Sequence, residues 1–295
     1  MTQKLRIVQN RFMDSTIWND FSYKKGDIVI ISYIRSGTTW LQQIVGQLVF
    51  DGKENLPIAE MSPWLDLRFP PPKEKLSALE KQVHRRFIKT HLPADAIPFS
   101  NDVKYLYIAR DARDVAWSSH NSFSELTDET YELFNSVNID LPLLEKPPES
   151  RVQFFNDWMK CNGHPYWAYD ENILTWWNLK DEPNVKLLHY NNLQKNMEGQ
   201  IRDIASFLEI PINENNWSYV VEHCTFDYMK RNAAKSIPLE GKLWKKGVKS
   251  FMYKGTNTRW KSELSIDDIM KYESTMKKRL GESCANWMMT GYLEE

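Results

Sequence analysis

Residues 27–33, DIVIISY, form an apolar, β-branched run that leads directly into a glycine-bearing turn, RSGTTW. Beyond the turn, Trp40, Ile44, Val45 and Leu48 recur at helical spacing. A strand with no polar face has to be covered on both sides, so this unit reads as a mid-sheet strand, a tight loop and a helix. VKYLYIA at 103–109 and VKLLHY at 185–190 repeat the pattern, and RRFIKTH at 85–91 is a weaker fourth. Strands alternating with helices predict an α/β protein with a central, mostly parallel sheet flanked by helices. Ligands in such sheets sit beyond the carboxyl ends of the strands, where RSGTTW falls. No linker interrupts the chain, so residues 1–295 are expected to be a single domain. The irregular stretches 62–77 and 121–172 are expected to be loops and short helices mounted over one end of the sheet.

Charge restricts the partners. The 38 basic and 39 acidic residues nearly cancel, which gives no global case for nucleic acid or for a membrane surface. The first residues are charged, and no run of about 18 apolar residues appears, so no membrane insertion is expected and a cytoplasmic protein is the default. Three widely spaced cysteines, Cys161, Cys224 and Cys284, argue against a disulfide framework or a zinc site. The 12 tryptophans fill core for the most part, and they also suit a pocket for a ring-bearing ligand.

Any anion site is therefore local. In RSGTTW the glycine lets backbone approach a ligand, N–H groups at a helix start point at it, and Arg35 adds a full charge. Thr38 or Thr39 is expected to cap the helix. The spacing is not that of the nucleoside-triphosphate loop, and an ordinary capped turn is the alternative. FIKTHLP puts His91 at a strand end, where it serves either as a general base or as a structural histidine. YIARDARDVAWSSH places Arg110 just past another strand, suited to a second phosphate or else to a solvated helix start with ordinary charge pairs. FMYKGTNTRWK at 251–261 is basic and loop-like.

Together these stretches resemble the cytosolic sulfotransferase family over nearly the whole chain, with four separated motifs in the family's order. The family's loop Y-P-K-S-G-T-T-W is matched at six of eight places from Tyr33 to Trp40. The resemblance implies that Arg35, Ser36, Gly37, Thr38 and Thr39 grip the 5′-phosphosulfate of 3′-phosphoadenylyl sulfate, that Trp40 lies against the adenine, and that His91 is the base. It assigns the 3′-phosphate to Arg110, Ser118, Lys254 and Gly255, the last two within the stretch opened by Phe251 and Met252. Tyr190 contacts the nucleotide, and Cys224, Thr225 and Phe226 belong to the adenine-binding stretch, with Phe226 stacking opposite Trp40. The product is adenosine 3′,5′-bisphosphate, and no metal is required.

The departures concern charge. Arg35 stands where the family has Lys, and a planar guanidinium does not donate from the same point. Tyr253 replaces an Arg expected at the 3′-phosphate, for which Arg259 is a candidate substitute. The family's dimer signature is degraded to Lys261, Ser265, Ile266 and Met270, so the usual dimer is not expected. The implied mechanism is in-line transfer to a small-molecule hydroxyl or amine, with Arg35, Thr38 or Thr39 and backbone N–H groups stabilising the departing phosphate. Residues 121–172 hold ten Asp and Glu against three Lys and Arg, a balance of -7 that leaves +6 elsewhere. This raises the expectation of a polar, cationic acceptor, against the alternative of a solvated acidic face. The rivals are a magnesium-dependent kinase on the same cradle and a nucleotide-binding protein with reduced catalysis.

Overall fold

The computed structural model describes residues 4–163 and 166–293. Residues 1–3 and 294–295 of the expected domain, and His164 and Pro165 of the 121–172 stretch, lie outside the described residues. The four expected strands form one sheet: β1 (Ile28–Ile31), β2 (Phe87–Thr90), β3 (Lys104–Ala109) and β4 (Val185–His189). Their order is β2-β1-β3-β4 and every pairing is parallel. β1 is shorter than its apolar run and lies inside the sheet, as its lack of a polar face requires.

Alternation along β1 divides the core. Ile28 and Ile30 face a layer built on the helix Thr38–Val49, whose Leu41, Ile44, Val45 and Leu48 are buried against Ile204, Ala205 and Val220. Val29 and Ile31 face an aromatic layer that includes Trp117, Phe155, Trp176, Tyr272 and Trp287. Both faces are covered, so the molecule is a single α/β domain. No described helix is long and apolar enough to cross a membrane.

Residues of both irregular stretches, among them Trp64, Leu67, Phe123, Phe134 and Trp167, line the cavity at the sheet's carboxyl end. Pro63–Leu65 runs beside the outer edge of β2, with Leu65 N–H donating to Lys89 O at 3.0 Å and Lys89 N–H to Pro63 O at 3.1 Å. This pairing satisfies an otherwise open strand edge and sets Trp64 over the residue that follows β2.

Candidate active site

Each of the four parallel strands delivers a residue from its carboxyl end to one cavity of about 250 Å³: the loop Arg35–Trp40 after β1, His91 after β2, Arg110 after β3 and Tyr190 after β4. Parallel pairing brings these ends to the same side. The cap of the helix Thr38–Val49 is Gly37 rather than either threonine. Its φ of 109° is left-handed, and a Cβ there would meet the Tyr190 ring at 2.8 Å, so the turn requires glycine and draws both threonines into the first helical turn. With no side chain capping it, the helix start keeps its N–H groups open toward the cavity.

Arg35 donates from Nε to Ser118 Oγ at 3.1 Å and from a terminal nitrogen to Phe251 O at 3.0 Å, with its guanidinium 4.4 Å from the Phe251 ring centroid. Burial, then the neighbouring Arg110, pulls its pKa down to about 10. Ser36 does not line the cavity; its hydroxyl is buried beneath the loop without a partner.

His91 is buried at the junction of this cradle with an apolar chamber. Its Nδ1 lies 2.7 Å from Ser32 O and 3.3 Å from Ser32 Oγ, which fixes the proton on Nδ1 and leaves the Nε2 lone pair for the cavity. Asn172 holds its backbone, donating to His91 O at 2.9 Å while accepting from Tyr107 OH at 2.9 Å. The Trp64 ring stands edge-on at 4.6 Å and that of Trp167 lies 5.9 Å away. Burial, with Lys89 next, pushes the imidazole pKa well below its ordinary value. Lys89 was missed by the sequence reading. Its ammonium lies 4.9 Å over the Trp64 ring, and burial lowers its pKa to about 8. The signal was present, because residues two apart on a strand share a face.

Beyond Tyr190 lies a second cationic region. Arg110 donates to Asn257 Oδ1 at 2.7 and 2.9 Å and to Arg35 O at 2.9 Å, with its guanidinium 4.4 Å over the Tyr190 ring. Lys254, Gly255 and Arg259 line the wall, and Gly255 at φ 64° passes so close to Phe226 that a Cβ would sit 2.8 Å from its ring. Trp40, Phe226, Phe251 and Met252 also line the cavity. Cys224 and Thr225 stand behind its wall. The Cys224 side chain is buried in the core beside the helix Thr38–Val49, while its carbonyl accepts from Trp40 Nε1 at 2.8 Å. Thr225 caps the helix Phe226–Arg231.

The chamber on the far side of His91 is apolar, walled by Phe12, Leu67, Phe123, Phe134, Trp167 and Trp244. No carboxylate among the described residues lines the cavity. The acids of 121–172 turn outward, Asp128, Glu129, Glu132, Asp140, Glu145 and Glu149 being exposed. The expectation of a cationic acceptor is therefore corrected, because ionised side chains stay in water while the aromatic residues of the same segment fill the chamber.

The donor region carries Arg35, Arg110, Lys254 and Arg259 with no lining carboxylate among the described residues, and it leaves Arg259 Nε without a partner. Four crowded cations and an orphaned guanidinium donor fit an anion with more than one phosphate-like group.

Residues 25–284 match the sulfotransferase domain family. The chain belongs to that family. This sulfotransferase is 30% identical to sulfotransferase 1B1 of Mus musculus over 88% of its length and 85% of the relative's. It is 27% identical to a glycolipid sulfotransferase of Mycobacterium bovis over 97% and 95%. Its fold matches a mouse sulfotransferase solved in complex with PAP, with a TM-score of 0.71 at 21% identity over 92% and 90% of the two chains. It also matches retinol dehydratase solved with androsterone and PAP, with a TM-score of 0.69 at 23% identity over 92% and 87%.

Proposed function

We propose that this sulfotransferase moves a sulfuryl group from 3′-phosphoadenylyl sulfate to the hydroxyl of an apolar, ring-bearing small molecule, with His91 as the base. The observation that carries this reading is the position of His91, whose free nitrogen faces the boundary between a cationic cradle and a chamber lined with aromatic rings. The donor, when bound, supplies a sulfuryl group on a phosphate that departs. Arg35, the open N–H groups after Gly37 and the hydroxyls of Thr38 and Thr39 would hold the phosphosulfate end, and Arg110 and Ser118 the 3′-phosphate.

His91 Nε2 takes the acceptor's proton. Ser32 O holds the imidazole in the tautomer that permits this, and the depressed pKa keeps it neutral and ready at neutral pH. Trp64 and Trp167 fix the ring and exclude water around it. Lys89, beside His91, adds positive charge where negative charge develops. A single base suffices to activate an alcohol or phenol, so a hydroxyl oxygen is the nucleophile, attacking the sulfuryl sulfur as the phosphate departs. The three cysteines are free thiols, which supports residence in the reducing cytoplasm.

The test is thermal stabilisation by adenosine 3′,5′-bisphosphate, set beside ATP with and without magnesium, followed by sulfuryl transfer to a panel of phenols, steroid-like alcohols and cationic alcohols. The bisphosphate alone should stabilise the protein, and neutral ring alcohols should turn over fastest. His91→Asn should lower kcat by roughly a hundredfold or more while leaving stabilisation by the bisphosphate intact. Stabilisation only by ATP with magnesium would return the case to a kinase.

A further inference from the structure

Of the three guanidinium groups that enter the donor end of the cavity, Arg110 and Arg259 are differently satisfied. Arg110 has most of its donors engaged by the protein itself, by Asn257 Oδ1, Arg35 O and Thr256 O, and brings its charge to the site. Arg259 differs. Its Nε is buried without a partner, and its guanidinium, 5.3 Å over the Tyr253 ring, makes no hydrogen bond or ion pair among the described residues. A buried donor left open is costly until an acceptor arrives. Arg110 adds its like charge, and an anion between the two would relieve both.

The chain takes trouble to aim this side chain. Thr258, the preceding residue, is β-branched yet sits at φ 64° and ψ 16°, a left-handed conformation that such residues avoid. Its N–H donates to Asp114 Oδ1 at 2.7 Å, and Asp114 is itself buried in the first turn of the helix Ala112–Ser124. On the other side Asn257 is held by Arg110 and by Gln194 Oε1 at 2.9 Å. The turn that presents Arg259 is therefore pinned from both flanks.

Resting on the donor reading above, we propose that Arg259 is the residue that selects for a phosphate at the 3′ position of the donor nucleotide, aimed into the cavity by Asp114 through the turn at Thr258. It supplies the cation that Tyr253, a neutral ring half exposed at the cavity wall, cannot. Asp114 is a positioning residue: it acts through that turn, and as a neighbouring acid it also interacts with the Arg259 charge.

Calorimetric titration with adenosine 3′,5′-bisphosphate and with adenosine 5′-phosphate separates the possibilities. The wild type should prefer the bisphosphate. Arg259→Gln should weaken the bisphosphate by roughly 10- to 100-fold, the range of a lost charge-assisted contact, and leave the 5′-phosphate within about twofold. Asp114→Ala, which removes the acceptor of the Thr258 N–H, should weaken only the bisphosphate, and adding Thr258→Gly, which removes the left-handed penalty, should restore much of the loss. If Arg259→Gln weakens both nucleotides equally or neither, the assignment to Arg259 is overturned. If glycine restores nothing, the role of Asp114 is overturned. A wild type that binds neither nucleotide would overturn the donor reading itself, a result distinct from the other two.

Discussion

At the scale of single residues, the proposed chemistry depends on which nitrogen of His91 carries a proton and how readily the other accepts one. Ser32 O settles the first, while burial and Lys89 settle the second by holding the imidazole neutral. A neutral base works until the pH falls through its pKa, and an unperturbed histidine would be half protonated at 6.5. The acid limb of kcat/KM, which reports the free enzyme, should therefore lie well below pH 6.5. Lys89→Met removes a charge that disfavours the imidazolium, so it should move that limb upward; a profile unchanged by the substitution would contradict the assigned cause. His91 and Arg110 were legible in the sequence because each follows directly on an apolar strand. The Cys224 and Thr225 side chains do not line the cavity, and a linear motif does not say which residues turn to it and which carry the wall from behind.

Among elements, the ARDARDVAWSSH stretch is the most instructive. Its charges could be read as phosphate ligands or as a solvated helix start, and the structure divides them. Arg110 enters the cavity, while Arg113 turns inward to pair with Asp111 at 2.6 Å, with its guanidinium 3.8 Å over Trp260 and 4.5 Å over Tyr272. Tyr272 OH donates to Asp111 Oδ1 at 3.0 Å, so this buried pair fastens the helix Ile266–Leu280 to the helix Ala112–Ser124. Asp111 also caps the latter, accepting from Arg113 N–H at 2.8 Å. Asp111→Asn leaves the buried guanidinium with only the half-exposed Glu273, 3.4 Å away, as counter-charge, and urea unfolding should show a loss of about 3 kcal/mol. Tyr272→Phe, which removes one hydrogen bond, should cost only about 1 kcal/mol. Patterning of charge along a helix cannot reveal such a pair, because its partners on Ile266–Leu280 are more than a hundred residues away.

Over the whole molecule, acid stability should carry the mark of His189, which ties the end of β4 to the last helix by donating from Nε2 to Met288 O at 2.9 Å while Nδ1 accepts from Asn191 N–H at 3.2 Å. Both nitrogens are committed to the neutral form, and burial takes the pKa from 6.5 down to about 4. The unfolded chain binds the proton first, so stability is lost as pH falls from 6.5 through 4, by about 3 kcal/mol in full. Asp114, raised to about 6 by burial, works in the opposite sense over part of this range. The comparison that isolates His189 is therefore the melting temperature of the wild type against His189→Gln at pH 7 and pH 4.5, the gap between them narrowing in acid. The sequence by itself determined the strands, the glycine turn after β1 and the residues that stand at strand ends, because apolar period and left-handed backbone are properties of a few neighbouring residues. Only the tertiary structure decided the β2-β1-β3-β4 order, the outward face of the acidic loop, the aromatic chamber, and the meeting of Lys89 with His91 and of Arg259 with Arg110. Those depend on which distant surfaces are buried together, and burial of aromatic area with exclusion of charge is a balance struck by the whole chain.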